Sequence, residues 1–536
     1  MDPFTLADCS ERMSSVLEAR HPGWNCQTMS TDIVYENGRV YDSVLGESRP
    51  GELVTRGDRI LAIEQPGATR LLHPSAERVD LAGGTLYPGF IDSHAHFIDT
   101  GMMLARLDFG SATTVQDVLD RIRAVAMQAS EGWIHGGNLD ENFLAEKRLP
   151  SVAELDEASS GRPLYINHRS YHWTLVNSSA FELIDLPALP GIDRDPAGRP
   201  TGLLDIDANA EAKVRVAALT PLAEIDAGIR AAATLASQLG ITTVHCIEGG
   251  EEYGGVRFAD RLLACDDLPF DPIVYISTGD VAQAVERGLP RVGGDITVDG
   301  SISNRTAAFH EPYADRPDTD GHLYYSSTEL EDMIEGAHSA GIQIGFHAIG
   351  DRGVDAILKA YRRILDRYPS SDHRHRIEHF GLPLPHHVEE AAALGLTIVV
   401  QPAFMAQKLP TYRTRLGSRA ESLYPLRTLL DAGINVAGSS DTLVSPFNPL
   451  IGIDAAVNGP VAGERLSVGE AIMLYTTAGA RACFRDNETG SLQPGLLADL
   501  TLLDRDLQHI PTNEISAASV MRTVFRGTTV FERTQR

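Results

Sequence analysis

The chain has 536 residues, 43% of them hydrophobic and 22% charged, which suits one large catalytic domain with appendages and argues against extensive disorder. Its formal net charge of −27 argues against nucleic-acid binding, because affinity for phosphate backbones depends on Lys and Arg. Five cysteines without paired or metal-type spacing argue against a disulfide framework or a zinc ribbon, and no stretch approaches the roughly 18 apolar residues that a membrane span requires.

Residues 1–30 fit no later element and are set apart as an N-terminal extension; they lack a basic region followed by an apolar one, so a soluble, cytoplasmic protein is expected. From Asp32, short β segments follow, with turns expected at Asn37-Gly38 and Gly57-Asp58. Similar segments near the C-terminus, ADLTLLDRD and VMRTVFRGTTVFE, turn at Arg526-Gly527. Residues 31–84 and 486–536 are therefore expected to build one small composite β-sandwich domain from both ends.

Between them stand eight strand-like segments, at 85–91, 241–247, 272–277, 295–300, 342–348, 375–380, 397–403 and 434–440, most separated by helical patterns. That alternation predicts a parallel α/β fold, and eight repeats favour a closed (β/α)8 barrel over residues 85–485. Residues 98–220 break the rhythm and carry their own candidate strands, WIHGGN and PLYINHR, so they read as an insertion after the first barrel strand. Long strand-to-helix connections carry specificity at the active-site end of such barrels, so the insertion is expected to cover the mouth.

The strongest chemical signal is GFIDSHAH (89–96), a hydrophobic strand ending in His94-Ala95-His96. Residues two apart in an extended chain face the same way, so both imidazoles can address one ion. His347 closes the fifth strand, His379 closes the sixth and Asp441 follows the eighth, all at the strand ends where such barrels place their active sites. Four imidazoles and a carboxylate suit zinc or another borderline divalent metal.

The order of these residues resembles the amidohydrolase superfamily, and more narrowly its YtcJ-like branch, which includes N-substituted formamide deformylases. The resemblance covers roughly residues 32–530, through PGFIDSHAH, GWIHGGNLDE, VDGSISNRTAAFHEPY, HAIGDRGVD, RIEH, GSSD and TGSLQPGLLADLTLLD. It implies the composite β-domain and metal-assisted hydrolysis of a C–N bond of amide or formamide type. A bound divalent ion brings the pKa of its water towards ~7 and polarises the scissile carbonyl, while Asp441 is implied as the proton shuttle. Asp441 and His379 are the catalytic candidates. A deaminase or decarboxylase on the same barrel is the alternative enzyme, and a catalytically silent paralogue that binds a small ligand is the alternative outside catalysis.

Candidates for substrate contact are His172 and Trp173 in HRSYHWTLVNSSAF, Phe97, Arg305 and Phe404. For Trp173 packing within the insertion, and for Arg305 pairing with a surface carboxylate, are the competing readings. His245 and Glu248, at the end of the second strand, are candidates to face the site, with a structural role as the competing reading; Glu378 is expected to point away from the site by strand alternation, and His373, His375, His386 and His387 are expected to face solvent. Relatives commonly carry Lys-x-x-x-Asp-Gly on the fourth strand, where a carbamylated lysine can bridge two metals. Here Asp295 takes the lysine position before Asp299-Gly300, and its carboxylate ends several bonds nearer the backbone. A single ion is therefore expected on His94, His96, Asp441 and one or both of His347 and His379, with Asp295 as a further candidate ligand. The expected partner is a small-molecule substrate, with neither nucleic acid nor membrane, and a homodimer is the assembly considered.

Overall fold

Val34, Tyr35, Val40, Tyr41, Leu53 and Val54 are buried along strands Asp32–Asp42 and Glu47–Arg56, which pair antiparallel. The expected turn at Asn37-Gly38 is instead a bulge within the first of these strands, where the register shifts between Tyr35 and Gly38 and Asn37 has φ 63°. Asn-Gly supplies the left-handed backbone that a bulge needs as readily as that of a hairpin turn. The turns at Gly57-Asp58 and Arg526-Gly527 connect paired strands as expected.

The computed structural model describes residues 31–128, 132–168, 173–250 and 255–534. They fall into two units, one comprising residues up to His96, Ala233–Ile247 and Asp267–Arg536, the other Phe97–Ala232 and Glu248–Asp266.

In the first unit, an eight-stranded sheet takes strands from both ends of the chain. Thr85–Pro88 pairs antiparallel with Leu500–Leu503, and Leu86, Leu500 and Val524 share a core with Tyr35, Val40 and Leu53. Thr85–Pro88 had the pattern of the first parallel strand but belongs to this sheet. The chain leaves the sheet at Gly89, where a Cβ would come 2.1 Å from Thr242 Oγ1, so only glycine fits the crossing.

The same unit holds eight further strands: β1 (Phe90–Ala95), β2 (Ile241–Glu248), β3 (Asp271–Ile276), β4 (Arg291–Thr297), β5 (Gln343–Ala348), β6 (Arg376–His379), β7 (Thr397–Val400) and β8 (Asn435–Gly438). They form a three-stranded sheet in the order β3-β2-β1 and a five-stranded sheet in the order β4-β5-β6-β7-β8. β4 to β8 pair parallel throughout, and β6 and β7 are buried along their whole length, as parallel strands covered on both faces require. Just past β8, Thr442 bridges Ala95 at the end of β1. Helices Ser327–Ser339, Asp351–Arg367, Pro385–Ala393 and Pro402–Leu416 follow β4 to β7 in turn.

The second unit is built on a six-stranded sheet of Ile192–Arg194, Pro200–Asp205, Trp173–Val176, Leu164–His168, Ile134–Leu139 and Leu107–Asp108, in that order. Helices Val115–Ala126 and Val152–Ala158 begin with reciprocal capping boxes at Thr114/Asp117 and Ser151/Glu154. Their Val118, Leu119, Ile122 and Leu155 pack against Ile134, Leu164 and Leu175. The unit extends beyond the expected boundary at residue 220, because helix Leu222–Gln238 begins within it, and it recovers residues 248–266.

Candidate metal centre

His94 lies on β1 and His96 just beyond its end, with ring centroids 5.6 Å apart, and both are buried. His94 Nδ1 lies 2.9 Å from Glu378 Oε2, which fixes the proton on Nδ1 and leaves the Nε2 lone pair for another use. Nε2 is buried and has no hydrogen-bond partner among the described residues, and it stands 3.7 Å from Asp441 Oδ1. His96 Nε2 is 3.4 Å from the same oxygen and 3.9 Å from Asp295 Oδ2.

His379 ends β6 with its ring centroid 5.4 Å from that of His94 and 4.5 Å from that of His347. Its Nδ1 contacts Gln401 Oε1 at 2.7 Å, and the Gln401 amide in turn donates to Ser439 Oγ at 3.0 Å. With that amide oxygen as acceptor, the His379 proton also sits on Nδ1. Donor atoms of His94, His379 and Asp441 lie within 4.8 Å of one another, and so do those of Asp295, His347 and His379.

Two of these residues leave the strand geometry. His379 has φ 70° and Asp441 φ 51°, a left-handed conformation that costs non-glycine residues roughly 1–2 kcal/mol each. Asp441 is held there by its backbone N–H, which donates to His94 O at 2.9 Å. Left-handed residues of this kind concentrate at functional sites.

The turn at His379 explains why Glu378 does not point away as expected. Arg376 and Glu378, two apart and both fully buried, share one face of β6, and His379 is swung towards their partners by its positive φ. Arg376 donates to Glu378 Oε1 and Oε2 at 2.8 Å each and to Ser93 O at 2.7 Å; its Nη1 lies 2.9 Å from His245 Nδ1. Its guanidinium lies 4.4 Å from the Tyr275 ring centroid. His245 is thus a brace for Arg376. Two charged residues at alternate positions of an otherwise buried strand were the signal for this pair, since such charges must face partners.

Burial would raise the Asp441 pKa, but the His96 hydrogen bond and the charges of His94, His379 and His96 pull it down to about 2. His379 is lowered to about 4, first by burial and then by His347. The buried Asp92 is raised to about 6 by desolvation, although its carboxylate accepts from the backbone of His94 and Ser440.

Asp299 accepts from three backbone N–H groups, those of Ala308, Ile349 and Gly350, at 2.7–2.9 Å. It thereby ties the loop after β4 to the end of β5. Arg305 is engaged in a two-pronged pair with Asp315, at 3.1 and 2.7 Å. Phe404 lies nearly parallel to the His379 ring, with centroids 6.2 Å apart. In the second unit, Trp173 stacks on His168 at 4.3 Å and packs against the core, Phe97 is buried, and Glu248 accepts from the Ile98 backbone at 3.0 Å. His172 lies outside the described residues. His375 and His387 are buried and His373 half-buried, whereas His386 is exposed.

The amidohydrolase family matches residues 77–531. The YtcJ protein of Bacillus subtilis (strain 168), which carries an amidohydrolase name, is 29% identical over 495 residues, covering 86% of this chain and 91% of its own. An N-substituted formamide deformylase of Arthrobacter pascens is 27% identical over 560 residues, covering 95% of this chain and 99% of its own. The crystal structure of an uncharacterized metal-dependent hydrolase from Pyrococcus furiosus superposes with a TM-score of 0.77 at 28% identity, covering 89% of this chain and all of that one, so the fold is TIM-barrel-like α/β. Matched along most of its length, the chain belongs to the amidohydrolase family.

Proposed function

We propose that this chain is a metal-dependent hydrolase that cleaves a C–N bond of amide or formamide type. The observation that carries the proposal is the buried Nε2 of His94, which has no hydrogen-bond partner among the described residues, with Nδ1 held by Glu378 and with Asp441, His96 and His379 around it. Imidazole nitrogens and a carboxylate at this spacing fit a borderline divalent cation, and zinc is the ion their chemistry favours. Within the same reading, the two parallel sheets close into one (β/α)8 barrel, the Ala95–Thr442 bridge joining its first and last strands. Residues 31–84 and 486–536 then form the composite β-domain, and the interruption after β1 is an insertion in the barrel.

His94, His96, Asp441, His379 and His347 would hold the cation. A single ion is favoured because the two donor groups share His379, whose Nδ1 is spent on Gln401. One remaining lone pair serves one metal. Asp295 then lies beside His96 as a polar neighbour of the site.

When bound, the cation supplies Lewis-acid polarisation of the carbonyl and acidifies water. Asp441 is ionised at neutral pH, consistent with its lowered pKa of about 2; its carboxylate would accept a proton from the attacking water and return it to the leaving nitrogen. Glu378 and Gln401 orient His94 and His379 through their Nδ1 atoms. Phe404, packed along His379, favours an apolar or aromatic substituent on the substrate.

Elemental analysis of the purified protein, followed by a screen of N-formyl and N-acyl amines for release of formate or carboxylate, tests the proposal. Release of ammonia or carbon dioxide from the same scaffolds would instead identify a deaminase or a decarboxylase. A metal-loaded protein that binds such compounds and turns none over would be a silent paralogue.

A further inference from the structure

Helix Pro402–Leu416 leaves the end of β7 and carries Phe404, Lys408 and Tyr412 at steps of four, a spacing that puts them on one face. Phe404 lies along His379. One turn on, Lys408 Nζ stands 4.4 Å from the Phe404 ring centroid. Lys408 is half-buried and makes neither an ion pair nor a hydrogen bond among the described residues. Burial lowers its pKa, and the charge that opposes this is Asp441. Asp441 also acts on Tyr412, further along the helix. A half-buried ammonium is partly desolvated, and a ring face compensates only part of that cost. If Asp441 is engaged by a divalent cation, it no longer offers Lys408 a free negative charge. The ammonium is then open to an anion from elsewhere.

We infer that Lys408 and Phe404 form a carboxylate-recognising subsite beside His379 and Asp441, so that the amide substrate carries a carboxylate next to an apolar or aromatic group. The substrate class is that of N-acylated or N-formylated aromatic amino acids, an inference that rests on the amide-hydrolysis reading above. The ammonium meets the carboxylate, the ring of Phe404 meets the apolar side chain, and the scissile amide lies towards His379.

Calorimetric titration of the metal-loaded protein with phenylacetate and with phenylacetamide separates the charge from the ring. The wild type should bind phenylacetate more tightly. Lys408→Met, which keeps the aliphatic stem, should reduce that preference by about tenfold or more, as expected for loss of a charged contact. Lys408→Gln should do the same, and Lys408→Arg should retain most of the preference. In kinetics, the ratio of kcat/KM for N-formylphenylalanine over N-formylphenethylamine should fall by a similar factor in Lys408→Met, through KM. Equal binding of the two probes by the wild type, absence of phenylacetate binding, or a preference unchanged in both neutral variants would overturn the inference. If Lys408-dependent phenylacetate binding is found while neither formyl compound is hydrolysed, the carboxylate subsite stands and the hydrolysis reading falls.

Discussion

Glu378 Oε2 lies 2.9 Å from His94 Nδ1 while both Glu378 oxygens accept from Arg376 at 2.8 Å, all three side chains being fully buried. The carboxylate is lowered in pKa despite its burial because the Arg376 charge and the His94 hydrogen bond favour its ionised form. It therefore has two tasks, to orient a candidate metal ligand and to neutralise a buried guanidinium.

Those tasks separate under mutation. Glu378→Gln keeps the shape and an acceptor but loses the charge, and metal affinity should fall by about 10–100-fold, the usual effect of disturbing a ligand's outer partner. Glu378→Ala also strands Arg376, and unfolding free energy should drop by about 3–5 kcal/mol. Competitive chelator titration and denaturant unfolding measure the two effects. Unchanged metal affinity in Glu378→Gln would remove Glu378 from the supporting role.

His94→Ala and His347→Ala should each abolish metal retention and activity while leaving the fold in place. The strands that carry these residues are paired along their length and packed against helices, so a metal at their ends is not the main source of stability. Elemental analysis and circular dichroism on the same preparations provide the test; full metal occupancy in either variant would count against the assignment.

What could be read in the sequence follows from short-range geometry. His94 and His96 are recognisable as a pair because they stand two apart where a hydrophobic strand ends, and His347 and His379 because each stands at the end of a strand-like segment. Alternation misleads at Glu378, where the left-handed backbone of His379 lets adjacent residues address one neighbour. No local pattern reports that turn. Thr85–Pro88 reads like the start of the first parallel strand because burial of all four residues looks the same in either sheet; only its pairing with Leu500–Leu503, over 400 residues away in sequence, assigns it. Lys408 gives no signal at all, since a lysine on a helix is ordinarily solvated, and its place over Phe404 emerges only from the packing of Pro402–Leu416.

The shared use of His379 leads to a prediction about stoichiometry. Protein purified without chelator should hold one divalent ion per chain, and Asp295→Asn should retain it, because Asp295 belongs only to the donor group that lacks His94 and Asp441. Elemental analysis, with anomalous scattering to locate the ion, decides the matter. Two ions per chain with the Asp295 carboxylate between them would refute the single-ion proposal.

The last prediction concerns pH and a group away from the metal centre. His375 Nδ1 accepts from the Ile344 backbone at 3.2 Å, so its proton is on Nε2, which faces His338 Nδ1 at 2.9 Å; His338 Nε2 in turn faces Tyr368 O at 2.8 Å. His373 Nε2 lies 2.9 Å from Leu394 O while its Nδ1 accepts from the His375 backbone at 3.0 Å. This chain of bonds is complete with neutral rings, and a further proton on His375 would break one of them. Burial lowers the pKa of His375 well below 6.5, reinforced by His373 and His338, and burial also lowers that of His373. In the unfolded chain these groups titrate near 6.5. The folded state therefore binds fewer protons than the unfolded state once the pH drops below that value. Stability from keeping these rings neutral is fully present above about pH 6.5 and is lost as the pH falls towards the folded pKa values, at up to about 1.4 kcal/mol per pH unit for each such histidine. Replacing His375 with Asn removes one titrating group, at a cost in stability at pH 7. Denaturant unfolding between pH 7 and pH 5 should accordingly give a shallower decline for His375→Asn than for the wild type, and parallel declines in the two proteins would show that His375 is not the group whose protonation weakens the fold.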